Sequence, residues 1–171
     1  IQNTLVGGLS GDALTTGSGN IAVGINTLGS DTQGSHTVAI GNGALFTQNF
    51  TTATDTHNVA VGFEAGAAVT TGIKNTILGS GAGDALTSGN DNTALGYAAL
   101  GSDTKGNRNV AIGWDALGSQ NFTTSTNSYN VAIGANAGYG LTTGVENTLI
   151  GALSGDGLTT GQENVVVGYA A

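Results

Sequence analysis

The sequence predicts an all-β fold, a parallel β-solenoid of ten coils that are each 17 or 21 residues long, in one domain over residues 1–171. Three observations carry this. The unit Asn109-Val110-Ala111-Ile112-Gly113 recurs ten times, starting at Asn3, Asn20, Thr37, Asn58, Asn75, Asn92, Asn109, Asn130, Asn147 and Asn164. The starts are spaced 17-17-21-17 and then begin again, a 72-residue super-repeat. A fixed period of this kind marks a stacked architecture. The 31 glycines fall in register, which points to order, whereas scattered glycine at this level reads as disorder.

Within one unit, slots one to four hold Asn, then Thr, Val or Ile, then Ala, Leu, Ile or Val, then Val, Ile or Leu. Such β-branched runs form strands. Alternating side chains put slots one and three on one face and slots two and four on the other. Both faces carry apolar groups, so the strand is expected to be covered on both sides, as in parallel sheets. The column Asn20, Asn58, Asn75, Asn92, Asn109, Asn130, Asn147, Asn164 is expected to form an amide ladder. Slot five is glycine in every copy, including Gly41, Gly62, Gly96, Gly113 and Gly134; this predicts positive φ or close backbone approach.

Slot eight is always small. One large aliphatic follows, either directly, as Leu28 and Leu100, or three slots later, as Leu14, Val69, Leu86, Leu141 and Leu158. This segment is expected to be a second strand whose inward residue shifts between coil types. Each short unit closes with Thr-x-Gly, as in Thr87-Ser88-Gly89, and the glycine marks the return turn. The four-residue insertions of the two long units lie within 46–57 and 118–129. Later units keep register, so the insertions are expected to leave the stack sideways.

The unit N-x-A-[IV]-G-x-x-A-x…T-x-G resembles the head repeats of YadA-like trimeric autotransporter adhesins, whose unit is about 14 residues. The stretch from Asn92 to Ser119, NTALGYAALGSDTKGNRNVAIGWDALGS, is closer to repeats of phage and bacterial tail-fibre-like proteins. The resemblance covers essentially the whole chain. It implies a left-handed β-roll, a homotrimer, and a fibre or adhesin head that binds a surface. The chain is then expected to be part of a longer fibre protein, located outside the cell, on a cell surface or on a virion.

Composition excludes several classes. Net charge is −8 with three basic residues, Lys74, Lys105 and Arg108. Nucleic acid needs lysine and arginine against phosphate, and no apolar run of membrane-spanning length occurs. Neither nucleic acid nor membrane insertion is expected. With no Cys there are no thiolate metal sites, and no metal or cofactor is expected. Asp12, Asp84 and Asp156 sit in motifs near a calcium nonapeptide but read as turn residues. His36 and His57 fall in a solvent-facing turn column with no nucleophile arranged beside them, so an enzyme is not expected. At 8% charged residues, lateral surface is expected to be covered by other chains, the first candidate being the chain itself.

Candidate recognition residues are of two kinds. Phe50, Thr52 and Thr54 in the first insertion match Phe122, Thr124 and Thr126 in the second, and loops on a rigid scaffold are where binding residues concentrate; the equal alternative is that the insertions only fill a groove between chains, with Phe50 and Phe122 buried. Tyr97 and Trp114 at slot six can stack on sugars of a host-surface glycan or receptor. Two other readings compete with the adhesive fibre: a self-assembling extracellular filament subunit, and an ice-binding solenoid using ranks of threonine.

Overall fold

In the computed structural model, which describes residues 2–171, the chain is a parallel β-solenoid. Ten three-residue strands form one sheet, stacked in chain order: β1 (Thr4–Val6), β2 (Ile21–Val23), β4 (Val38–Ile40), β6 (Val59–Val61), β7 (Thr76–Leu78), β8 (Thr93–Leu95), β10 (Val110–Ile112), β12 (Val131–Ile133), β13 (Thr148–Ile150) and β14 (Val165–Val167). Register is uniform: Ala94 pairs with Ala111, and Ala111 with Ala132. The second pair spans a long coil, so the insertion is absorbed without a slip. Two short ladders accompany the long coils, β3 (Gly34–Ser35) with β5 (Thr54–Asp55), and β9 (Gly106–Asn107) with β11 (Thr126–Asn127).

Among the described residues, one face of the main sheet is covered and the other is not. Slots one and three point inward: Asn92 and Ala94 are 1% exposed, and Ala111 and Asn109 are fully buried. Slots two and four point out and stay partly exposed, which corrects the expectation of cover on both sides within this chain.

The asparagine column forms the expected ladder and does more. Each Oδ1 accepts the backbone N–H of slot one in the next coil, as Asn75 Oδ1 does from Asn92 at 3.0 Å and Asn92 Oδ1 from Asn109 at 2.9 Å. Each Nδ2 in a short coil donates to the carbonyl of the glycine closing the same coil: Asn20 to Gly34, Asn75 to Gly89, Asn92 to Gly106, Asn147 to Gly161. One amide therefore links coils and closes its own coil. The slot-five glycines need both properties predicted for them. Gly113 has φ +130, and a Cβ there would sit 2.5 Å from the Gly134 carbonyl oxygen.

The expected second strand is not formed. After slot five the chain runs through overlapping turns, with Ala44 N bonded to Gly41 O, Phe46 N to Gly43 O and Gln48 N to Leu45 O. Positive φ recurs at every second residue, slots five, seven and nine. A strand cannot carry that alternation, whereas turns with φ > 0 at their third position require it. The large aliphatics are inward as expected. Leu28, Leu45, Leu100 and Leu117 are fully buried at slot nine with φ near +50. The left-handed conformation costs about 1–2 kcal/mol per residue, which full burial of leucine, about 1.5–3 kcal/mol, offsets. Where slot nine is glycine, a large slot-three residue fills the space: Ile77 lies against Gly66 and Gly83, Leu149 against Gly138 and Gly155.

Candidate functional site

The insertions are built into the core. Gln48 is fully buried. Its Nε2 donates to Asp31 Oδ2 at 2.7 Å and its Oε1 accepts from Asn58 Nδ2 at 2.8 Å. Asp31 Oδ1 also accepts the backbone N–H groups of Gly34 and Phe50, both at 3.0 Å. The second long coil repeats this with Gln120, Asp103, Asn130, Gly106 and Phe122. Phe50 and Phe122 are consequently 8% and 6% exposed. This corrects their placement as surface recognition residues, because the buried carboxylate draws their backbone inward and the rings follow. Thr52 and Thr124 are exposed, while Thr54 and Thr126 are half-buried in β5 and β11. The remaining extra residue, Thr56, is a bulge. Its hydroxyl is 2.6 Å from Thr37 Oγ1 and accepts Asn58 N–H at 3.3 Å. In the second long coil the equivalent hydroxyl, Ser128 Oγ, donates to Asn109 Oδ1 at 2.8 Å.

The Thr-x-Gly hydroxyls are committed to the stack. Thr70, Thr87 and Thr142 donate to the carbonyl of the matching threonine one coil on, at 2.9–3.0 Å. The column is a hydrogen-bond ladder, and Thr54 and Thr126 lie four coils apart in separate ladders. No continuous rank of free threonines arises from these columns.

The outer face of the main sheet is the largest candidate surface. Slots two and four present aliphatic and threonine side chains on all ten strands, among them Ile21, Ile40, Leu78, Leu95, Ile133 and Ile150, each 37–42% exposed. At about 4.8 Å per strand this face is roughly 45 Å long and about 10 Å wide. Its area, roughly 450 Å², is within the range of the largest apolar patch on a monomer, and it runs along all ten strands.

Beyond the glycine corner, slot six carries Tyr97 and Trp114, 59% and 52% exposed on adjacent coils. Two coils further back is a solvent-open cleft of about 220 Å³, lined by Asn26, Asn42, Gly43, Phe46, Glu64 and Ala67. No sequence expectation named it. The turn column holds His36 and His57 stacked at 5.8 Å, with His36 Nδ1 2.9 Å from Asp55 Oδ1. Further along it Arg108 lies over the Tyr129 ring at 5.4 Å. Among the described residues no three His, Cys, Asp or Glu side chains are grouped to hold a metal ion, and no helix is long and apolar enough to cross a membrane. Burial holds the Asp84 carboxyl above the usual carboxylate range; backbone N–H groups of Asp84 and Ala85 oppose this and the nearby Glu64 adds to it.

No known protein family, curated protein or solved structure matches this chain.

Proposed function

We propose that the chain is a non-enzymatic structural and adhesive segment of a homotrimeric fibre, extracellular, on a cell surface or on a virion as in a phage tail fibre, that meets glycans or a receptor on a host surface. The observation that carries it is the bare outer face. Ten strands present a continuous row of aliphatic and threonine side chains that no other described residue covers, and covering it with other copies removes its apolar part from water. The threefold number and the fibre setting come from the resemblance of the repeat unit to YadA-like head repeats and tail-fibre-like repeats. A shaft fits the rest of the design, because ladders along the axis give length without a catalytic cleft.

Light scattering on the purified chain tests this. The expected mass is three times 16.6 kDa. Leu95→Asp places a carboxylate on the outer face, where Leu95 is 41% exposed, so the coil tolerates it. In an assembly the charge would be buried unpaired, at about 3–5 kcal/mol. The mass should fall to 16.6 kDa with the far-ultraviolet spectrum unchanged. A wild-type chain that stays folded and monomeric at micromolar concentration would overturn the proposal.

A further inference from the structure

We propose that the cleft over the second to fourth coils binds a single hexose unit, neutral or amino-substituted, of a surface glycan. Slot seven supplies Asn26 and Glu64 from coils on either side, and between them stands Gly43. With no side chain at 43, the column has a notch. Phe46, 43% exposed, forms one wall, Asn42 forms another, and Ala67 is too small to fill the gap. The backbones are fixed, with Asn26 N bonded to Gly8 O and Glu64 N to Asn42 O. Among the described residues no hydrogen bond or ion pair engages the Asn26, Asn42 or Glu64 side chains.

This set matches the chemistry of a pyranose ring. An aromatic face takes the C–H face of the sugar, two amides donate and accept, and a carboxylate accepts from neighbouring hydroxyls. The cleft is far too small for a specific protein partner, which buries about 1,000 Å² or more. Glu64, with Asp84 beside it and a net charge of −8, disfavours acidic sugars and phosphate.

The second super-repeat shows that the notch is not required by the fold. Seventy-two residues on, Asp115 stands for Gly43 and Tyr139 for Ala67. The Tyr139 ring lies over Gly118, which stands for Phe46; a Cβ on Gly118 would be 3.0 Å from Tyr139 Cδ2. Both places keep positive φ, 69° at Gly43 and 53° at Asp115. The same backbone therefore carries a filled site in one copy and an open one in the other.

The inference deepens the surface-contact part of the proposed function and rests on that reading for where the sugar comes from. The test titrates the full chain with methyl glycosides of glucose, mannose, galactose, N-acetylglucosamine and glucosamine, and with methyl glucuronide as acidic control, by saturation-transfer NMR and calorimetry. At least one neutral or amino glycoside should bind with Kd on the order of 1 mM, and the glucuronide about tenfold more weakly or worse. Gly43→Asp and Ala67→Tyr introduce residues that the chain already carries at 115 and 139, and an unchanged far-ultraviolet spectrum checks that each variant is folded. Each should weaken binding about tenfold or more by filling the notch. Phe46→Ala should do the same by removing the stacking wall. Failure of every glycoside to bind, or binding that survives both filling substitutions, would overturn the site. Binding lost in both variants on a chain that light scattering shows to be monomeric supports the cleft and overturns the fibre reading. A trimeric chain that binds no glycoside does the reverse.

Discussion

Asn92 shows how much one side chain carries in this fold. Its Oδ1 accepts Asn109 N–H at 2.9 Å, and its Nδ2 donates to Gly106 O at 2.9 Å. Both partners are buried backbone groups. Asn92→Leu keeps the branched shape but leaves both unpartnered, each at about 1–3 kcal/mol. The expected loss is therefore about 2–6 kcal/mol, read as a lower urea midpoint. Asp84 has the opposite sign. Its carboxyl titrates above the usual range when folded, chiefly through burial, so the folded state binds the proton more tightly than the unfolded state. Stability is then highest below the unfolded value and falls as pH rises through the folded one. Asp84→Asn removes that loss. Its urea midpoint should exceed wild type at pH 7 and match it at pH 3.

At the scale of the coil, the strand was legible and the turn was not. A period-two run of β-branched residues ending in Gly113 leaves one reading, and the invariant asparagine announces a ladder. The segment after slot five carries the same aliphatics that a strand would. Nothing in Ala99-Leu100 tells that Leu100 takes φ +55, because leucine is normally excluded from that region and only the stacked turns impose it. The insertions misled for a related reason. Asp103, which no sequence expectation named, is fully buried and accepts from Gly106 N, Phe122 N and Gln120 Nε2. It ties down a loop one coil away, which spacing alone does not reveal. The cleft was present as a signal, Gly43 against Asp115 and Ala67 against Tyr139, but needed the fold to bring slots six, seven and ten together. Asp103→Ala should release the three donors. Each buried donor left unpaired costs about 1–3 kcal/mol, and the effect should be local. Amide exchange and limited proteolysis are expected to rise within 119–128, while exchange in β7 and β13 stays at wild-type rates. Uniform loss of protection along the sheet would contradict the Asp103 hydrogen bonds as a local clamp.

Across the whole molecule, each coil touches only its neighbours. The sheet runs in chain order from β1 to β14 with one register throughout, and no strand reaches back over another. Stability in such a stack is close to a sum of coil terms and nearest-neighbour terms. The 72-residue super-repeat permits a clean cut, because Asn75 and Asn147 hold the same slot in coils of the same type. Deleting residues 75–146 joins Lys74 to Asn147, and the new junction repeats the one between Lys74 and Asn75. The outgoing ladder bonds have counterparts: Asn58 Oδ1 accepts Asn75 N–H in the intact chain at 2.9 Å, and Asn130 Oδ1 accepts Asn147 N–H at the same distance. The large slot-three residue also returns, with Leu149 standing for Ile77 against Gly66. The shortened chain should fold, with wild-type ellipticity per residue and a lower urea slope, since less surface is exposed on unfolding. Its melting temperature should drop, because four neighbour interfaces are gone while the two end coils remain. It keeps the cleft at Gly43 and one long coil, so glycoside binding there should persist. An unfolded product would show that the coils depend on contacts beyond their neighbours, and the additive description of the stack would fail.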